Sequence, residues 1–223
     1  MCGRFNLIAT SDTIIEHFRL KRLPKYRTDY NIPPGQKILN IVQLEDGSNK
    51  SVYLHWGLIP SWSKDAKIAN RLINARAETL ADKPSFRAAY SKRRCLIPAT
   101  GFYEWQQTEI GKQPYHVHFP DSRLFAFAGL WEHWTNGDET IYSCTIITCP
   151  ALAPVSDIHE RMPVIINPEN YGDWLNKQAF EIDVLAFDQT FSYLQMELTP
   201  ISQHVNNPVH NDEACIHPIQ LAH

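Results

Sequence analysis

The 223-residue chain is 43% apolar and 20% charged, ordinary for a soluble globular protein with ample length for a core. Its longest apolar run, residues 124–131, is far too short to cross a membrane, and Arg4 and Asn6 interrupt any apolar, signal-like start. The net charge of −3 hides an asymmetry: residues 1–100 hold 17 Lys and Arg against 8 Asp and Glu, whereas residues 101–223 hold 4 against 16, so a basic face can bind a polyanion unless the two halves interleave in space.

Residues 3–9 alternate weakly and read as a strand that ties down the start of the chain. Thr10, Ser11 and Asp12 are N-cap candidates for a short helix with Ile14, Ile15 and Phe18 on its apolar stripe. A basic connection, residues 21–30, leads to Asn31-Ile32-Pro33-Pro34-Gly35, where tandem proline predicts a rigid turn. Residues 38–44 and 51–58 flank Glu45-Asp46-Gly47-Ser48, a hairpin signal. Trp56-Gly57-Leu58-Ile59-Pro60-Ser61-Trp62 predicts a shaped aromatic loop, and a helix is expected near residues 86–91. Strands are expected at 93–98, 101–105, 115–119, 124–131 and 140–148, with Asn136-Gly137 as a hairpin turn. After a proline-containing connection over 151–160, residues 164–166 read as a strand. Asn167-Pro168 starts a helix running to Leu175. Residues 180–187 suit another short helix, and 193–199 a strand. With no repeat, linker or low-complexity tract, residues 1–223 read as a single α+β domain, β-rich, with a barrel-like sheet and several short peripheral helices.

Four residues carry candidate chemistry. Cys2 is small enough to permit removal of Met1. That would expose an α-amine with a pKa of roughly 7.7–8.0 beside a thiol of about 8.5. This 1,2-aminothiol condenses with an aldehyde, the amine giving an imine and the thiol closing a thiazolidine. Glu104 lies among Phe102, Tyr103 and Trp105, where desolvation raises a carboxyl pKa and suits acid–base work; strand alternation would equally allow it to face water. Asn74 follows an apolar pair, and His159 sits in a proline-containing loop. Arg4, Arg76 and Arg161 flank these residues and can fork onto phosphates. Trp56, Trp62 and Trp105 can stack nucleobases or simply fill the core. The five cysteines (2, 95, 144, 149 and 215) are odd in number and scattered, which argues against a disulfide framework and fits a reducing cytosol. No metal site is expected, since Cys144/Cys149 and His116/His118 offer too few ligands. No phosphate-cradling glycine loop or G-x-S-x-G is present, and no cofactor is expected.

Seven motifs occur in one order: Met1-Cys-Gly-Arg-Phe5, Asn31-x-Pro-Pro-Gly35, Trp56-Gly-Leu-Ile-Pro60, Ile73-Asn-Ala-Arg-x-Glu78, Arg94-Cys-Leu-Ile-Pro98, Gly101-Phe-Tyr-Glu-Trp105 and His159-Glu-Arg-Met-Pro163. Over nearly the whole chain this resembles the SRAP (SOS response-associated peptidase) family of abasic-site DNA–protein crosslinking proteins. The resemblance implies a compact barrel-like domain that binds single-stranded DNA and crosslinks abasic sites through a processed Cys2. Asn74, Glu104 and His159 would complete the catalytic set. Arg4, Arg76, Arg161 and Trp62 would contact DNA. It also implies self-removal of Met1, AP-lyase-like strand cleavage through the imine, and a role in the DNA damage response. The expected form is a cytoplasmic monomer, nucleoid-associated when bound to DNA, with no membrane or metal partner. Two rivals stand beside this reading. One is an N-terminal-nucleophile or Cys-His-Asn hydrolase using Cys2, His159 and Asn74. The other is a non-catalytic nucleic-acid binding module.

Overall fold

The computed structural model describes residues 2–176 and 195–221. In chain order the strands are β1 (Phe5–Leu7), β2 (Asp29–Ile32), β3 (Lys37–Gln43), β4 (Asn49–Trp56), β5 (Asn74–Arg76), β6 (Arg94–Ala99), β7 (Gly101–Thr108), β8 (Gly111–His118), β9 (Phe125–Asn136), β10 (Glu139–Pro150), β11 (Arg161–Pro163), β12 (Ile165–Ile166) and β13 (Glu197–Pro200). The α-helices are short: α1 (Ser11–His17), α2 (Arg87–Lys92) and α3 (Tyr171–Leu175). The rest of the helical structure described is short 3₁₀ helix, the longest being Ala66–Arg71.

Two sheets build the molecule. One runs β13-β8-β7-β1-β2. The other runs β11-β10-β4-β3-β6-β9-β12, and its β9 and β10 also pair with each other over residues 129–146. The circuit β10-β4-β3-β6-β9 therefore closes into a five-stranded barrel, the β-rich α+β architecture expected from the sequence. Closure removes two sheet edges that would otherwise need covering. The pairings of β4 and β5 with β10 are parallel, so both come from distant segments rather than hairpins. Aromatic side chains join the first sheet to the barrel wall. Phe5 of β1 packs edge-on against Trp56 of β4 and Phe127 of β9, with centroids 5.3 and 5.6 Å apart, and Phe102 of β7 reaches Phe127 at 6.0 Å. Both sheets combine strands from the two halves of the chain in contiguous blocks: β13-β8-β7 beside β1-β2 in one, and β4-β3-β6 between β11-β10 and β9-β12 in the other.

Local sequence explains the elements that were legible. Thr10 caps α1 by accepting from the Thr13 amide, which satisfies one of the free N–H groups of the first turn. Asp46 accepts from the Ser48 amide at 2.9 Å and closes the β3–β4 hairpin. Gly137, with φ of 59°, turns β9 into β10.

Several boundaries differ from expectation. Asn31 and Ile32 belong to β2, and the turn proper begins at Pro33. Trp56 ends β4 and is fully buried instead of lying in a loop. Strands β5 and β11 are three residues each, too short to show a period. Phe180 to Phe187 and the first two residues of the strand expected over 193–199 lie outside the described residues, as does Met1. Among the described residues, no helix is long and apolar enough to cross a membrane.

Candidate active site

The chain start is fixed by pairing. Phe5 is in register with Ile32 on one side and Phe102 on the other, and the Tyr103 amide donates to the Arg4 carbonyl at 2.9 Å. These bonds draw Cys2 inside, where it is completely buried. They also set it beside β7, the strand that carries Glu104.

Asn74 reaches the same place through the aromatic loop. Gly57 has φ of 136°, and a Cβ there would lie 2.7 Å from the Ala69 carbonyl oxygen. Only glycine permits this approach. The buried Trp56 indole donates to the Ile73 carbonyl at 2.9 Å, and the Leu58 amide donates to the Leu72 carbonyl at 3.0 Å. The following strand is thereby pressed onto β10, with Asn74 opposite Ile146. Asn74 Nδ2 then donates to the Cys2 carbonyl oxygen at 2.9 Å, across 72 positions of sequence. Asn74 Oδ1 is buried and has no hydrogen-bond partner among the described residues.

Glu104 is 3% exposed. Burial raises its carboxyl to about 7 from an ordinary 4.5, because desolvation disfavours the charged form. The Cys2 thiol is pushed up, first by burial and then by the neighbouring Glu104 charge. His159 Nε2 stands 3.7 Å from Glu104 Oε2. Its Nδ1 lies 2.8 Å from the Arg161 carbonyl and 3.0 Å from the Arg161 amide. The Arg161 backbone thus holds Nδ1 and turns Nε2 towards Glu104. Burial lowers the His159 pKa, favouring the neutral ring at neutral pH. The result is a carboxyl with a pKa raised to about 7, 3.7 Å from an imidazole whose pKa is lowered, alongside a buried cysteine.

The arginines divide. Arg161 is buried and forks onto Glu78, with Nη1–Oε1 at 2.5 Å and Nη2–Oε2 at 3.0 Å, and also donates to the Thr148 carbonyl at 2.7 Å. This pair holds the backbone that grips His159 Nδ1. Arg4 Nη1 donates to Asn31 Oδ1 at 2.7 Å and to the Val205 carbonyl at 2.9 Å. Both guanidinium groups thus have internal partners. Arg76 is exposed at the end of β5. Trp62 is 59% exposed, steadied by its indole donating to the Pro84 carbonyl at 3.2 Å. It borders a depression also lined by Lys64, Lys67 and Arg71. Trp105 is half-buried and donates to Asn206 Oδ1. Sequence reasoning gave Glu78 no role, although it stands in the same motif as Asn74. An acid two residues beyond Arg76 was the available signal.

The family model described as SOS response associated peptidase (SRAP) matches residues 1–208, and the chain belongs to that family. The abasic site processing protein YoqW of Bacillus subtilis (strain 168) is 45% identical over 223 residues, covering 97% of this chain and 99% of that protein. The abasic site processing protein HMCES of Gallus gallus is 32% identical, covering 88% of this chain and 68% of that protein. A solved structure from Bacteroides thetaiotaomicron superposes with a TM-score of 0.82 at 24% identity, over 98% of this chain and all of the other, and shows the shared fold. A phage-related protein of Bordetella bronchiseptica superposes with a TM-score of 0.73 at 28% identity, over 91% of this chain and 95% of that one.

Proposed function

We propose that this protein binds single-stranded DNA and captures abasic sites as a covalent thiazolidine on Cys2 after Met1 has been removed. The observation that carries the reading is a wholly buried Cys2 bonded by Asn74 and lying beside Glu104, which His159 faces. The likeness to proteins named for abasic site processing agrees with it.

The abasic sugar is mostly a closed hemiacetal. Glu104, protonated about half the time near pH 7, gives a proton to the ring oxygen as the C1′ hydroxyl proton is withdrawn, and the aldehyde opens. The Cys2 amine attacks C1′. Loss of water leaves an imine, with Glu104 and His159 passing the protons. The Cys2 sulfur then adds to C1′ while its proton ends on nitrogen, so the net change is one C–N bond, one C–S bond and one water. A high thiol pKa suits this order, because the sulfur stays protonated until the imine stands beside it and closure is intramolecular. Asn74 fixes the Cys2 carbonyl, and its Oδ1 is free to accept from the processed amine. Arg76, Trp62 and the lysines beside Trp62 supply phosphate contacts and base stacking. Arg4 and Arg161 support the site from within.

The same carboxyl–imidazole pair serves self-removal of Met1, in keeping with the family's name. A Cys-His-Asn hydrolase is less well supported, because Asn74 donates to Cys2 and His159 faces Glu104. Intact-mass spectrometry with and without an abasic single-stranded oligonucleotide tests the proposal. The expected result is a protein lacking Met1 that gains the oligonucleotide mass minus one water. Cys2→Ser should retain imine-based strand cleavage but form no heat-stable adduct. Heat-stable adducts in Cys2→Ser, or peptide turnover with no adduct in the wild type, would refute it.

A further inference from the structure

Residues 203–215 carry a second cluster that the abasic-site chemistry does not use. His204 Nε2 lies 3.2 and 3.3 Å from the two oxygens of Asp212. One ligand atom each from His204, Asp212 and Cys215 falls within 4.8 Å of the other two. We infer that these three side chains form a binding site for a single borderline-soft divalent cation of the zinc type.

Each ligand is set by local structure. Ser202 caps the turn Gln203–Asn206 by accepting from the His204 amide, and Asp212 caps Glu213–Cys215 by accepting from the Ala214 amide. The His210 ring stacks on His204 with centroids 3.9 Å apart, and His210 Nδ1 lies 2.8 Å from the His204 carbonyl. Around tetrahedral zinc, bonds of about 2.0–2.3 Å put ligand atoms roughly 3.3–3.6 Å apart. The His204–Asp212 spacing already has nearly that value, and the sulfur needs about an ångström of closure. Cys215 is fully buried, while the Asp212 side chain is 57% exposed and His204 31%, so water can complete the coordination from the Asp212 side.

On binding the cation the sulfur becomes a thiolate and its proton leaves to solvent. The site would brace the segment whose Val205 carbonyl accepts from Asn31 and from Arg4, the latter two residues from Cys2 along the chain. A His–Asp ion pair beside an inert thiol is the competing account.

Titration of the chelator-treated full chain with Co²⁺ separates them, because a bound thiolate gives a near-ultraviolet charge-transfer band. The expected result is a band that saturates at one equivalent in the wild type and in Cys2→Ala, and that bleaches on adding Zn²⁺. Cys215→Ser should lose the band with its far-ultraviolet circular dichroism unchanged. Asp212→Asn, at an exposed position, should bind Co²⁺ at least about tenfold more weakly. No saturable band in the wild type, or a band kept in Cys215→Ser, overturns the site. Should Cys215→Ser fail to fold, Asp212→Asn decides alone, and unchanged affinity there overturns it.

Discussion

Glu104 should leave a signature in stability as well as in activity, and Glu104→Gln reads both. Below pH 4.5 the carboxyl is protonated in the folded and unfolded chain alike. Between 4.5 and about 7 the unfolded chain ionises while the folded one holds its proton. Above about 7 both are ionised, and the folded state bears a buried charge. The stability associated with the raised pKa is therefore present at low pH and lost as pH rises through this window. The difference between 4.5 and about 7 corresponds to about 3 kcal/mol. Glutamine keeps the shape and cannot ionise. Urea unfolding of both proteins from pH 4 to 8.5 should show Glu104→Gln gaining on wild type at up to about 1.4 kcal/mol per pH unit, levelling near 3 kcal/mol. A different hydrogen-bonding pattern for the amide shifts the whole curve without changing its slope. In parallel, adduct formation should slow by about 10²–10⁴-fold, as expected for losing a positioned acid–base group. The ionisation near 7 should vanish from the pH–rate profile. A stability difference flat with pH would refute the desolvated carboxyl, and near-wild-type crosslinking would refute its catalytic role.

Glu78→Gln should behave with the opposite sign. Its hydrogen bonds to Arg161 hold the Glu78 carboxyl below its ordinary value, so the stability it contributes is present above the ordinary range and lost as pH falls through the folded pKa. Chemical denaturation should show a loss of about 1–2 kcal/mol at pH 7, allowing for the partial exposure of Glu78, and a narrowing gap below about pH 4.5. Asn74→Ala should leave DNA affinity unchanged in fluorescence anisotropy yet slow adduct formation, because it frees the Cys2 carbonyl; an unchanged adduct rate would remove Asn74 from the site. Trp62→Ala should weaken single-stranded DNA binding by about 1–3 kcal/mol with the salt slope intact, whereas Arg76→Gln should lower that slope by nearly one ion. If both variants bind as wild type, the DNA path lies elsewhere.

What the sequence discloses here depends on how local the determining physics is. The β3–β4 hairpin and the N-cap of α1 are decided by neighbours a few residues apart, so Asp46, Gly47 and Thr10 announce them. Strands β5 and β11 exist because β10 offers them partners more than seventy and about thirteen positions away, and three residues carry no period to betray that. Glu104 shows why alternation misleads in a central strand. Phe102, Tyr103 and Glu104 are successive and all buried, because β7 is covered on both faces, so a side chain turned from one core enters another environment closed to water. The arginines show a second limit. The guanidinium fork that suits a phosphate equally suits a carboxylate, and the sequence beside Arg161 is silent on whether Glu78 will arrive from 83 positions away. The residues of the candidate site stand out in the sequence by their oddness and motif order. Their division into reacting groups and supporting ones could not, since it rests on which side chains find partners within the fold. By that criterion we propose Cys2, Asn74, Glu104 and His159 as the reacting set, Glu78 and Arg161 as its brace, and Trp62 and Arg76 as the groups presented to a ligand from outside.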